Sequence, residues 1–166
     1  MDAPALPFAL PLIAILRGIT PADVPAHVGA LVEEGYDAIE IPTNSPDWTH
    51  SVRIAAEAFG DRAWIGAGTV LTTADADALR AAGGRLMVTP NTLPPVIRHA
   101  VERGLQVAAG VATASEAFDA LDAGAQMLKL FPASVYGPAM VRALRSVLPP
   151  VPLFAVGGVT PDTLSG

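Results

Sequence analysis

The chain has 166 residues, 51% of them hydrophobic and 16% charged, which describes one soluble domain spanning 1–166 with a large core and excludes a disordered or fibrous chain. Its net charge is −6 and its ten basic residues are scattered, so the basic stripe that displaces counterions from nucleic-acid phosphates is missing. Cysteine is absent, which rules out disulfides, thiolate metal sites and cysteine nucleophiles.

The N-terminal stretch, residues 1–12, is apolar but broken by Pro4, Pro7 and Pro11 and carries no basic leader, so it does not read as a signal peptide. No apolar stretch approaches the roughly 20 residues of a membrane span. The expected location is cytoplasmic, with no membrane partner.

From residue 12 onward, short apolar runs alternate with helix-period segments. The runs are 12–17, 38–42, 64–70, 86–90, 106–111, 127–132 and 153–157. Each is almost continuously hydrophobic, as a parallel strand covered on both faces must be. Thr20-Pro21 opens the first helix and Glu34-Gly35 closes it, with a capping residue, a first-turn proline and a terminal glycine. Ser45-Pro46-Asp47 opens the second. Thr72 or Thr73 opens the third, which ends at Gly83-Gly84. Pro94-Pro95 opens the fourth and Gly104 ends it; Thr113 opens the fifth and Gly124 ends it. Gly137-Pro138 opens the sixth, and Thr160-Pro161 a seventh.

Strands recurring every 20 to 25 residues or so, with helices between, define right-handed parallel crossovers. A closed barrel or an open doubly wound sheet satisfies that pattern. The doubly wound dinucleotide fold wants Gly-x-Gly-x-x-Gly after its first strand, and here Arg17-Gly18-Ile19-Thr20 stands there instead. The expected fold is therefore α/β, a parallel (β/α) TIM barrel. As given it lacks the eighth strand and closing helix, so the domain reads as C-terminally incomplete, with two unpaired edges.

In such folds ligands sit at the carboxyl ends of the strands. Lys129 is the only lysine; the other basic residues are all arginine. It stands inside a strand expected to be buried, where desolvation lowers an amine's pKa and makes it nucleophilic, whereas arginine stays charged. The bland alternative is a snorkelling or ion-paired core lysine. Glu40 likewise interrupts an apolar strand, and burying it unpaired would cost several kcal/mol. It either makes a structural salt bridge to Arg17 or Lys129, or shuttles protons beside an amine. Alternation puts Lys129 on one face with Met127 and Phe131, and sets Glu40 opposite Ile39 and Ile41, so both polar groups face the barrel interior.

Arg17 and Thr69, at the ends of the first and third strands, supply donors for a carboxylate. Gly66 and Gly68 would let a ligand approach the backbone. The segment Gly157-Gly158-Val159-Thr160-Pro161 is either a phosphate cradle of backbone amides at a helix start or a plain tight turn. Thr89-Pro90-Asn91 and Phe131-Pro132 are wall residues of the site. His27, His50 and His99 lie far apart and read as surface or boundary histidines, so neither a metal site nor a cofactor is expected.

With these residues in place, the chain from Leu12 to its end resembles the aldolases that cleave 2-keto-3-deoxy-6-phosphosugar acids. The likeness rests on Ile15-Leu16-Arg17-Gly18, Glu40-Ile41-Pro42, Gly66-Ala67-Gly68-Thr69-Val70, Thr89-Pro90-Asn91, Leu128-Lys129-Leu130-Phe131-Pro132 and Gly157-Gly158-Val159. Within that family, Ile41-Pro42-Thr43-Asn44-Ser45-Pro46 is similar to the 6-phosphogalactonate branch. The 6-phosphogluconate branch usually carries an arginine near the position of Asn44, and its absence here assigns carboxylate anchoring to Arg17.

The resemblance implies Lys129 as the Schiff-base residue and Glu40 as proton donor and acceptor. It implies Arg17, Thr69 and Gly158 as substrate contacts, and a homotrimer acting on a phosphorylated 2-keto-3-deoxy sugar acid. Family members also carry an eighth strand with a serine in the phosphate site, which this sequence lacks. The rival readings are the same chemistry on the gluconate epimer and a non-catalytic phosphosugar-binding barrel.

Overall fold

The structure is a computed structural model and describes residues 5–160 and 162. Strands β1 (Ala14–Ile15), β2 (Ala38–Pro42), β3 (Trp64–Gly68), β4 (Leu86–Val88), β5 (Gln106–Val111), β6 (Met127–Leu130) and β7 (Leu153–Ala155) alternate with six helices. These are α1 (Val24–Glu33), α2 (Trp48–Phe59), α3 (Thr73–Ala81), α4 (Pro94–Glu102), α5 (Ala114–Asp122) and α6 (Ala133–Arg145). All six ladders are parallel and the strands pair in chain order, β1 to β7. A doubly wound sheet reverses its strand order part-way across. This one never does, so it is a barrel wall.

The wall curls. One cavity touches Ile15 of β1, Glu40 of β2, Val88 of β4, Ala108 of β5, Lys129 of β6 and Phe154 of β7, which a flat sheet could not bring together. Alternation sorts the side chains into two cores. Ile39, Ile41, Ile65, Met87, Val107, Ala109 and Leu128 face outward, where they meet Val28, Val52, Leu79, Ile97 and Ala117 of the helices. Ala38, Leu86, Val88, Ala108 and Met127 face inward and pack with Phe8. The sequence-based assignment of faces for Glu40 and Lys129 agrees with this division.

Several boundaries differ from the sequence expectation. Strands β1, β3, β4, β6 and β7 are shorter than their apolar runs, because the last residues of each run leave the ladder to form the strand-end loops. The first helix starts at Val24, not at Thr20-Pro21. Thr20 instead donates its hydroxyl to the Asp23 carboxylate (2.6 Å) and its carbonyl accepts from Asp23 N (3.0 Å), closing a turn ahead of the helix. The sixth helix begins at Ala133 and kinks at Gly137 (φ 65°), so Gly137-Pro138 starts only its second part. Thr72 and Thr113 cap α3 and α5 as expected, each in a reciprocal box with the residue three positions on. The seventh helix expected from Thr160-Pro161 lies outside the described residues.

Candidate active site

Glu40 stands at the middle of β2, fixed in register with Gly66 of β3 and with Ile15 of β1. Lys129 stands on β6 between Gly110 of β5 and Phe154 of β7. Both side chains point inward and both are buried, at 1% and 7% exposure. They meet at one cavity of about 100 Å³, walled by Leu12, Ile13, Ile15, Val88, Ala108, Phe154 and Val156. That is room for several water molecules.

The glycines of β3 do something other than the sequence suggests. A Cβ at Gly68 would collide with the Glu40 carboxyl, and one at Gly66 with the backbone of Leu86. They make room for protein groups, Glu40 above all, rather than for a ligand approaching the backbone.

Burial raises the Glu40 carboxyl from 4.5 to about 7, against the opposing pull of the Lys129 and Arg17 charges and the Gly68 N–H. Burial also lowers the Lys129 amine; Glu40 opposes that shift and Arg17 adds to it. Among the described residues Glu40 makes no contact ion pair, and its Oε2 accepts no hydrogen bond from the protein. The structural salt bridge is therefore not what holds it. A carboxyl poised near neutrality, a desolvated amine and a pocket for water form an acid–base and nucleophile pair. The Lys129 Nζ also lies 5.2 Å from the centre of the Phe131 ring.

Arg17 leaves the end of β1 and donates from Nη1 to Asn44 Oδ1 (2.6 Å), with a longer contact from Nη2 to Thr69 Oγ1 (3.5 Å). Thr69 is a β-branched residue in the left-handed region, at φ 58°, a conformation that costs about 1–3 kcal/mol and is kept only where the surroundings impose it. Thr43 donates to the Thr69 carbonyl (2.7 Å) and holds it there. Pro90 backs Gly110, whose missing side chain lets the two backbones touch. Thr89 beside it accepts from Gly110 N (3.0 Å) and donates to the Asn91 carbonyl (2.7 Å).

Gly157 and Gly158 both have positive φ, 93° and 71°. Side chains there would press on the Phe131 ring and on Ser134. The first amides of α6 are taken: Ala133 N donates to Val156 O (2.7 Å) and Ser134 N to Gly157 O (3.0 Å). The turn thus lies against α6, with Ser134 at its side. The histidines are not brought together. His27 meets its own helix, His50 meets Asp47, and His99 meets Asp77. Among the described residues no three His, Cys, Asp or Glu side chains group as metal ligands, and no helix is long and apolar enough to cross a membrane.

Asn44, Ser134 and Val156 join the site without having been singled out as site residues from the sequence. Alternation from Phe154 would have put Val156 on the inner face at the end of β7. For Asn44, in a strand-end loop, and Ser134, in the first turn of α6, the sequence offers no separate signal.

An amine and a carboxyl, desolvated together inside a (β/α) barrel wall, define a class of protein suited to imine chemistry on a carbonyl substrate. Comparison with known proteins is specific. The model of the KDPG and KHG aldolase family matches residues 8–165. The 2-dehydro-3-deoxy-6-phosphogalactonate aldolase of Escherichia coli K12 is 57% identical over 94% of this chain and 77% of its own length. A solved structure described as native KDPGal superposes with a TM-score of 0.93 at 54% identity, over 99% of this chain and 79% of that one. A KDPG aldolase from Legionella pneumophila, solved with pyruvate captured as a covalent carbinolamine, gives a TM-score of 0.85 at 27% identity, over 92% and 74%. The chain belongs to the KDPG and KHG aldolase family.

Proposed function

We propose that this chain is a class I aldolase that reversibly cleaves 2-dehydro-3-deoxy-6-phosphogalactonate to pyruvate and glyceraldehyde 3-phosphate. The observation that carries the chemistry is the pairing of a buried lysine and a buried carboxyl around one small cavity. The choice of epimer is supported by the 57% identity to a galactonate-type enzyme, against 34% to a gluconate-type one over the same share of the chain.

The Lys129 amine, whose hold on its proton is weakened by burial, attacks the C2 carbonyl carbon in its deprotonated form; loss of water from the carbinolamine leaves a cationic imine. Glu40, ionised, takes the C4 hydroxyl proton through a water in the cavity. The C3–C4 electron pair moves toward the imine to give an enamine, and glyceraldehyde 3-phosphate departs. Glu40 returns the proton to C3 by the same water, and hydrolysis of the imine frees pyruvate and the amine. A carboxyl near pH 7 serves both directions of transfer, since neither form is scarce. In this reading Arg17 and Thr69 hold the substrate carboxylate. Pro90 and Phe131 wall the reacting carbons, and the amides of Gly157 and Gly158 take the phosphate.

Two further readings go with it. A homotrimer is supported by the exposed Phe131, Val135 and Tyr136 around the start of α6, and sedimentation measures it directly. A cytoplasmic location fits substrates whose phosphate charge keeps them from crossing a bilayer.

Borohydride reduction in the presence of pyruvate tests the reading. The expected result is a mass gain mapping to Lys129, lost in Lys129→Arg, with kcat/KM falling roughly 10⁴-fold or more, the scale of losing a covalent nucleophile. Cleavage of the galactonate epimer should outpace that of the gluconate epimer. No adduct, or an adduct elsewhere, would leave a phosphosugar binder in place of an enzyme.

A further inference from the structure

The loop after β2 clasps both of its neighbours with three consecutive side chains. Thr43 donates to the carbonyl of Thr69, Asn44 accepts from the Arg17 guanidinium, and Ser45 accepts from Gly18 N (2.9 Å). Thr43 N also donates to Gly68 O (2.8 Å) and Ser45 N to Pro42 O (2.9 Å). Ser45 is buried, so the loop is anchored on both sides of Asn44 while the Asn44 side chain itself stays exposed. The guanidinium it holds belongs to a long side chain that is otherwise exposed and has many rotamers to lose.

We propose that Asn44 is a positioning residue: it fixes the Arg17 guanidinium at the mouth of the barrel, so that the remaining N–H edge is already aimed when the substrate carboxylate arrives. This rests on the reading of Arg17 given above. Three observations support it. The Arg17–Asn44 bond is short and charge-assisted, the strong kind. The second guanidinium nitrogen is thereby directed at Thr69, the other residue at this edge of the mouth. And Arg17 lies close enough for its charge to act on both Glu40 and Lys129. A ligand that meets a prearranged fork avoids the ordering cost that a free arginine would impose.

The test is a double-mutant cycle on pyruvate binding, read by calorimetry in the wild type, Asn44→Ala, Arg17→Ala and the double variant. Asn44→Ala should weaken pyruvate binding about tenfold, the scale of losing a hydrogen bond to a charged group. It should add little in the Arg17→Ala background, because there is no guanidinium left to aim. The maximal rate of borohydride trapping at saturating pyruvate should change far less than the affinity. The pH at which trapping becomes half-maximal should rise, as a loosened Arg17 no longer helps to hold Lys129 and Glu40 low.

Both side chains are exposed, so thermal midpoints should stay close to that of the wild type. Binding within twofold of wild type in Asn44→Ala, or losses that add in full, overturns the proposal. Absence of a reduced adduct in the wild type, with the binding cycle intact, overturns the Schiff-base reading instead.

Discussion

A carboxyl in the middle of a strand carries a folding cost that depends on pH, and for Glu40 the sign follows from its shift. In the folded chain it titrates near 7, against 4.5 when exposed. Between those values the native state keeps a proton that the unfolded chain has released, so stability falls as pH rises through the window. Below it the carboxyl is protonated in both states and the cost vanishes. Glu40→Gln should therefore match the wild type near pH 4 and become the more stable protein above about pH 7. The gain is at most about 3 kcal/mol, a figure in which the opposing pull of the Lys129 charge is already included. Urea denaturation of both proteins across that range measures it; a gap that shrinks with rising pH would contradict the burial of Glu40. The same cost is why Glu40 and Lys129 could be picked out of the sequence. An acidic residue and the only lysine within apolar runs contradict their surroundings, and physical chemistry supplies few reasons for that. Asn44 contradicts nothing, since polar residues after a strand are ordinary, and Val156 looks like any core valine.

At the scale of elements, local chemistry fixes some boundaries firmly and leaves others to the tertiary fold. In α5, Thr113 accepts from Glu116 N (3.2 Å), while Glu116 Oε2 accepts from Ala112 N (2.8 Å) and Thr113 N (2.9 Å). Three donors around the helix start are satisfied by two side chains. Thr113→Ala should cost about 1 kcal/mol, seen as a lower urea midpoint with an unchanged slope; a changed slope would mean that the helix start is not what was lost. The threonine openings of α3 and α5 were legible because a capping residue stands directly before the helix it starts. The start of α1 was not, because Thr20 spends its hydroxyl on Asp23 rather than on a helix amide. The ends of β3 and β6 were not either. Apolar residues continue past the last ladder bond there, and only the neighbouring strands decide where pairing stops. The left-handed turn at Thr69 is the extreme case. Nothing local favours it in a β-branched residue, and the Thr43 hydroxyl that holds it comes from 26 residues away.

For the molecule as a whole, the order of strands and the faces of each were readable from period and alternation, but what fills the floor of the barrel was not. In the sequence, residues 1–12 are legible only as an apolar stretch that is no signal peptide, and the structure describes this stretch from residue 5. In the structure this segment runs under the amino-terminal ends of the strands, and Phe8 is buried at 5% exposure. Phe8 packs on Phe154 of β7, with ring centres 6.2 Å apart. Ala9 N and Leu10 N both donate to the Asp37 carboxylate, which immediately precedes β2. One short segment therefore ties the β7 side of the wall to the β1–β2 side, directly behind the wall of the Glu40–Lys129 cavity. The inner core above it is sparse, because Gly66, Gly68 and Gly110 contribute no side chains there. Phe8→Ala should then be disproportionately costly, about 3 kcal/mol or more, as for other large-to-small core changes that leave a cavity. The folded fraction should still form the pyruvate adduct at Lys129, since Phe8 backs the cavity wall without lining the cavity itself. Urea midpoints and borohydride trapping on the same preparation measure both. A loss under 1 kcal/mol or so would mean that the segment merely rests on the barrel floor and that the wall closes without it.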